Sequence, residues 1–192
     1  MASQILAFSG SLRKDSYNQQ LVEHAAEQAR KRGAEVTVIS LADYPMPIYN
    51  QDDEDASGIP AKALEFRELL KSHQGFIIGC PEYNSSITAA LKNAIDWASR
   101  PKEGEKPLEC FAGKIVALTA ASPGALGGLR GLDHVREILG NIQCHIVPGM
   151  VSVGGIHEAF GDDGNLKNDR TRGLLEGLMD NFVKTCDALG KK

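Results

Sequence analysis

Short apolar runs alternate with amphipathic stretches along the whole chain. Ile5-Leu6-Ala7-Phe8, 36–39, Gly75–Cys80, Lys114–Ala120 and His145–Val147, the last extending toward Val153, read as buried strands. Each is short and apolar, and most are bounded by Gly, Pro or Ser. The stretches between them carry the helical repeat. Tyr17–Arg32 puts Leu21, Val22, Ala25, Ala26 and Ala29 on one face. Pro60–His73 aligns Ala63, Phe66, Leu69 and Leu70, and Thr88–Ala98 aligns Leu91, Ala94 and Ile95. A helix ending near Gly140 turns Leu132, Val135, Ile138 and Leu139 inward. Thr171–Leu189 carries Leu175, Leu178, Met179, Phe182 and Cys186.

Ser16 with Gln19 predicts a capping box, and Gly33 a C-terminal stop. Tyr44-Pro45-Met46-Pro47 and the acidic run Asp52–Asp55 predict a surface loop without regular structure. Arg100–Pro107 and 161–165 predict further loops, with the mixed charges of Lys102–Lys106 in solvent. Five strands separated by helices predict an α/β architecture in one domain over 1–192: a parallel sheet covered on both faces.

Composition narrows the functional classes. The chain has 192 residues, 42% apolar and 24% charged, with a net charge of −4. There is no excess of cations to neutralise phosphates, so nucleic acid is not expected as a partner. No run of 18 apolar residues predicts a membrane span. Strand-like residues begin almost at once, so no secretory leader is expected. Cys80, Cys110, Cys144 and Cys186 form no C-x-x-C pair. That argues against a zinc site or redox dithiol and for free thiols in a cytoplasmic location.

Ligands of open parallel sheets bind at the carboxyl ends of the strands, and three loops with unusual composition leave such ends here. Ser9–Asn18 leads into the first helix, whose N-terminus suits an anion. Ser11, Ser16 and Asn18 add hydrogen bonds there and Arg13 adds charge. Neither a dinucleotide fingerprint nor a P-loop is present, which favours one terminal phosphate monoester such as that of FMN. Pro81–Thr88 combines aromatic, amide and hydroxyl groups that suit the edge and face of a flat polar ring. Ala121–Gly128 has glycines that let a backbone approach a ligand closely. Plain structural roles account for part of this: caps on the first and third helices, Ser85 or Ser86 supplying the latter, and a flexible connection at 121–128.

The loops together resemble the NADPH-dependent FMN reductase family. The G-S-x-R-x-x-S-x-N pattern appears as Gly10, Ser11, Arg13, Ser16 and Asn18. The P-E-Y-N-x-S pattern appears as Pro81, Glu82, Tyr83, Asn84 and Ser86. The stretch Leu91–Pro101 and the loop Asp162-Asp163-Gly164-Asn165-Leu166 are similar too. The resemblance implies a flavodoxin-like, three-layer, doubly wound fold with a five-stranded parallel sheet in the order 2-1-3-4-5. It implies that Ser11, Arg13, Ser16, Tyr17 and Asn18 hold the FMN phosphate. Pro81, Glu82, Tyr83, Asn84 and Ser85 would line the isoalloxazine and ribityl chain, with Ser122 and Gly124 near the ring. A homodimer or homotetramer is implied, with the helix around Asn93–Trp97 near the interface.

The expected activity is ping-pong transfer of a hydride from NADPH or NADH to bound FMN, then on to a quinone, free flavin, azo compound or metal oxyanion. The flavin carries the chemistry, so no catalytic side chain and no metal are expected. An electron carrier that takes electrons from another protein, or a binding protein without turnover, are the other classes the fold allows. Arg13 or Arg100 are candidates for a 2′-phosphate. Glu82 is also a candidate anchor for its loop or for an interface, and Trp97 reads as packing. His24, His73 and His134 read as solvated, His145 as a core histidine, and His157 and Glu158 as surface residues.

Overall fold

The computed structural model describes residues 2–161 and 164–189; Asp162 and Asp163 of the late acidic loop lie outside them. The chain runs β1 (Gln4–Ser9), α1 (Tyr17–Arg30), β2 (Glu35–Val38), α2 (Gln51–Ser57), α3 (Ala61–Ser72), β3 (Gly75–Gly79), β4 (Glu82–Tyr83), β5 (Ser86–Ile87) and α4 (Ala89–Ala98). It continues with β6 (Ile115–Ala121), α5 (Leu129–Asn141), β7 (His145–Ile146), β8 (Val151–Val153) and α6 (Asp169–Leu189).

The sheet is parallel in the order β2-β1-β3-β6-β7, with β8 pairing along the far half of β6. β7 and β8 are two halves of one interrupted edge strand. Pro148 lies in the gap, where its missing N–H cannot serve a ladder. Counting the halves together and setting the β4–β5 hairpin apart gives the expected order 2-1-3-4-5.

Alternation along β1 divides the core. Ile5 and Ala7 face α1 and α6, while Leu6 and Phe8 face α3, α4 and α5. The predicted inward residues fill these two layers, with Leu69 and Ile138 only partly buried at the margin of the second.

The acidic run forms helix α2 rather than an irregular loop. Asn50 caps it, Oδ1 accepting from the Asp52 amide at 3.1 Å, and Asp52, Asp53 and Glu54 occupy the first turn. Carboxylates there meet the positive end of the helix dipole. None of its residues is buried, so no apolar repeat marks it in the sequence. The 44–50 segment before it is tied to α4. Asn93 accepts from the Tyr49 amide, and the Trp97 indole donates to the Pro47 carbonyl, both at 2.8 Å. Trp97 is buried, as packing requires.

Four polar residues depart from their expected environments. His24 is half-buried, its ring against Phe160 at 5.8 Å. Glu105 is folded inward onto the buried Arg67, whose guanidinium also donates to the Arg100 carbonyl at 2.8 Å and to that of Ala98. Arg67 thus closes the carboxyl end of α4. Burial would raise the Glu105 carboxyl, but bonds from Lys71 and Arg67 hold it below the usual carboxylate range. His73 is buried between Leu69 O (2.7 Å from Nδ1) and Thr37 Oγ1 (3.0 Å from Nε2). His145 is exposed, because β7 lies at the sheet margin.

Candidate active site

Three loops stand at the carboxyl edge where β1, β3 and β6 end, as the doubly wound topology dictates. The first runs from Gly10 to Ser16. Ser9 Oγ accepts from the Ser11 amide (3.1 Å) and Ser11 Oγ from the Arg13 amide (3.2 Å), two successive short turns that fold the loop back. Ser16 caps α1, accepting from the Gln19 amide at 3.3 Å. The capping box is half formed: Gln19 Nε2 reaches Ile39 O and Glu23 instead of returning to Ser16.

Ser11 and Ser16 are buried, yet each hydroxyl only accepts, and its O–H proton has no acceptor among the described residues. The amides of Tyr17 and Asn18, in the first turn of α1, likewise have no acceptor among them. Arg13 is exposed, and its guanidinium has no partner among the described residues. This loop therefore gathers several unused donors and a positive charge at a helix start, the donor set a phosphate monoester requires.

Asn18 has a different job. Its amide exchanges two bonds with Ala121, donating to the carbonyl at 2.8 Å and accepting from the N–H at 2.9 Å. It ties the first loop to the start of the third. Thr88 ties the first to the second: its hydroxyl donates to Gly10 O at 2.6 Å and accepts from the Leu91 amide at 3.1 Å. Thr88, not Ser85 or Ser86, is the cap of α4. Gly10 also has to be glycine, since a Cβ there would lie 2.7 Å from Leu91 Cβ.

The second loop is a two-residue hairpin, with pairs Glu82↔Ile87 and Tyr83↔Ser86. Its turn residues Asn84 and Ser85 both have positive φ, 51° and 66°, which gives the twist of a tight hairpin at some conformational cost. Pro81 is buried at its base, while Tyr83 is 53% exposed and free to cover a ligand face. So small a ribbon needs outside support. Glu82 supplies it, accepting from Arg130 Nε and Nη2 at 2.9 and 2.6 Å and from the Gly131 amide at 3.2 Å. Burial alone would raise the Glu82 carboxyl; these bonds outweigh it and hold it low. Ser86 Oγ lies 2.9 Å from His134 Nδ1. Glu82 thus anchors the loop to α5, and its backbone, not its carboxylate, remains free to meet a ligand.

The third loop, Ser122–Gly128, leads into that same helix. Ser122 donates its hydroxyl to Gly124 O at 3.3 Å, and its backbone pairs with Val153 and Ile156. The loop lies directly on 153–154. A Cβ on Gly154 would fall 2.5 Å from Ala125 O and 2.9 Å from Gly124 O. The second and third loops are therefore held from behind, one by the start of α5 and one by the end of β8.

Of the other candidates, Arg100 has its guanidinium engaged: Nε donates to Glu54 at 2.8 Å, and the group stacks over Tyr49 at 5.0 Å. His157 and Glu158 are exposed and face each other at 3.7 Å. No cluster of metal-ligating side chains occurs among the described residues.

The sequence profile of the NADPH-dependent FMN reductase family matches residues 3–158. The chain belongs to that family. It is 36% identical over 174 residues to an NAD(P)H-dependent FMN reductase of Pseudomonas aeruginosa, covering 90% of this chain and 89% of that one. It is 34% identical over 190 residues to a quinone reductase of Escherichia coli, covering 98% and 94%. A solved flavoenzyme NAD(P)H:(acceptor) oxidoreductase from Paracoccus denitrificans superposes with a TM-score of 0.80 at 27% identity, over 99% of this chain and all of that one. An archaeal flavodoxin shares the fold at a TM-score of 0.61 and 10% identity. This family member is an FMN-dependent NAD(P)H oxidoreductase, and the carrier class rests on fold likeness alone.

The residues that sequence reasoning missed are those that support the site: Thr88, Arg130, Gly131, His134 and Gly154. Their signal was weak because each acts on a neighbour distant in sequence.

Proposed function

We propose that the three loops hold FMN and that the enzyme reduces a small organic acceptor, quinones first, with NADPH or NADH as donor. The observation that carries this reading is the set of unused donors in the first loop. Buried hydroxyl protons and helix-start amides without a protein acceptor are free to be taken by water or by a ligand, and an anion suits them all at once. Ser11, Ser16, Arg13 and the amides of Tyr17 and Asn18 would hold the phosphate, with Asn18 fixing the loop against Ala121. Pro81, Glu82, Tyr83, Asn84 and Ser85 would line the ribityl chain and ring, chiefly through backbone groups and the Tyr83 face. Ser122 and Gly124 would stand on the other side. Bound FMN would supply hydride acceptance and release; the chain would bind and orient it.

The quinone assignment is supported by the relatives named for that activity. A cytoplasmic location is supported by four buried free thiols; burial pushes Cys110 up to about 11 and Cys144 and Cys186 to about 12, which makes them unreactive. No described helix is long and apolar enough to cross a membrane. A homodimer or homotetramer remains our expectation.

The test is direct. The purified chain should carry visible flavin absorption or bind added FMN one to one at about micromolar or tighter. NADPH or NADH should bleach that absorption, and a quinone should restore it. A colourless chain that refuses FMN would overturn the reading.

A further inference from the structure

A nicotinamide dinucleotide has two ends. If its nicotinamide lies on the ring between the second and third loops, its adenosine end needs a second place on the same edge of the sheet. A groove of about 490 Å³ opens there, between the first loop and the end of β2. In the sheet order, β2 is two strands from β3, so the end of β2 lies roughly 10 Å from the second loop.

Its walls are mixed in a way that suits a phosphorylated nucleoside. Leu12 and Val38 offer apolar surface for a purine face. Ser40 also lines it; its hydroxyl accepts from the Ala42 amide at 3.3 Å and keeps its proton free to donate. Arg13 and Lys14 line it as well, and neither side chain has a partner among the described residues. One carboxylate, Glu23, shares the groove; the Gln19 amide donates to it at 3.3 Å. The remaining charge in the groove is positive. Ser11, which also lines the groove, and Arg13 are proposed above for the FMN phosphate, which leaves Lys14 for a second anion. Arg100, the other cation raised by the sequence, is already engaged by Glu54.

We infer that this groove seats the adenosine end of NADPH and that Lys14 reads its 2′-phosphate, so that Lys14 sets preference for NADPH over NADH. The inference rests on the flavin reading above. It assigns Lys14 to the donor, and leaves FMN retention to the first-loop residues already named.

The experiment titrates the FMN-loaded full chain calorimetrically with adenosine 2′,5′-bisphosphate and with 5′-AMP, and measures kcat/KM for NADPH and NADH. The bisphosphate should bind about tenfold more tightly than 5′-AMP, the scale of one charge-assisted phosphate contact. Lys14→Ala should remove most of that advantage and lower the NADPH-to-NADH ratio of kcat/KM by about the same factor. FMN content and NADH turnover should not change, and Lys14→Arg should keep the preference. Ala42→Trp, which fills the groove, should weaken both nucleotides. Equal binding of the two nucleotides to the wild type would overturn the inference. So would an unchanged coenzyme ratio in a Lys14→Ala protein that retains FMN. If FMN does not bind at all, the flavin reading fails separately, and the same nucleotide titration of the flavin-free chain still decides the groove.

Discussion

At the amino edge of the sheet Arg67, Lys71 and Lys114 already have partners; around the first loop, at the carboxyl edge, Arg13 and Lys14 have none among the described residues. Lys71 pairs with Glu105 and Glu68, Arg67 with Glu105 and two carbonyls, and Lys114 donates to the carbonyls of Lys71 and His73. Lys71 and Lys114 line a cavity of about 330 Å³, yet their ammonium groups have work inside the protein. Around the first loop, Arg13, Lys14, two buried hydroxyl protons and two helix-start amides are unengaged. A hole in the surface does not identify a site; unused hydrogen-bonding and charge capacity does. The amino edge uses its polar groups to close helix ends. The carboxyl edge leaves those of the first loop unengaged and borrows its rigidity from behind, through Asn18, Thr88, Arg130 and Gly154.

This contrast predicts that substitutions at the two edges separate stability from flavin binding. The largest effect belongs to Arg67→Ala. It leaves two carbonyls without their donor and takes one of its two bonded cations from the largely buried Glu105 carboxylate, and should cost about 3–5 kcal/mol in urea unfolding. FMN affinity of the folded fraction should stay within about twofold. An equally large loss of FMN affinity would mean that the edges are not independent.

Gly154→Ala is the converse. Its Cβ would collide with Ala125 O and Gly124 O, so the third loop must shift. The stability loss should be about 1–3 kcal/mol. FMN affinity, followed by quenching of flavin fluorescence, should fall at least about tenfold, more than this stability loss would suggest.

Arg130→Ala removes the exposed partner of Glu82 and leaves the Gly131 amide bonded to it. The global cost should be near 1 kcal/mol. Hydrogen exchange at 82–87 should accelerate about fivefold while exchange in α3 stays unchanged. Uniform acceleration would show that the hairpin is not separately pinned.

The smallest effect is set by pH. Burial holds His24 below its ordinary value of 6.5, with Lys31 adding to the effect against Glu176 and Glu27. Burial also holds His73 below 6.5, aided by Lys114 and opposed by its bond to Leu69. Both groups bind protons more readily unfolded than folded. Their contribution is therefore complete above pH 6.5 and is lost as pH falls through that value toward the lowered folded values. Unfolding free energy should be lower at pH 5 than at pH 7, and His73→Gln should flatten part of that slope. Stability that rises on acidification would contradict the assignment.

Much of this protein could be read from local pattern. The strands and five helices follow from periodicity and caps, the first- and second-loop motifs from residue types close together in the chain, and the sheet order from the family resemblance alone. Helix α2 escaped because a helix with no buried residue carries no apolar stripe; a cap, the helix dipole and the bonds of Glu54 to Arg100 and Tyr49 hold it. Glu105 was misread because its partner Arg67 is 38 residues away. For the same reason, nothing local separates Asn18, which bonds Ala121, from Ser16, which keeps a proton to give. Whether a polar group is engaged or free depends on what the folded chain brings within 3 Å of it. Sequence alone therefore determined which groups could meet a phosphate and a flat ring, and tertiary structure alone decided which of them are still available.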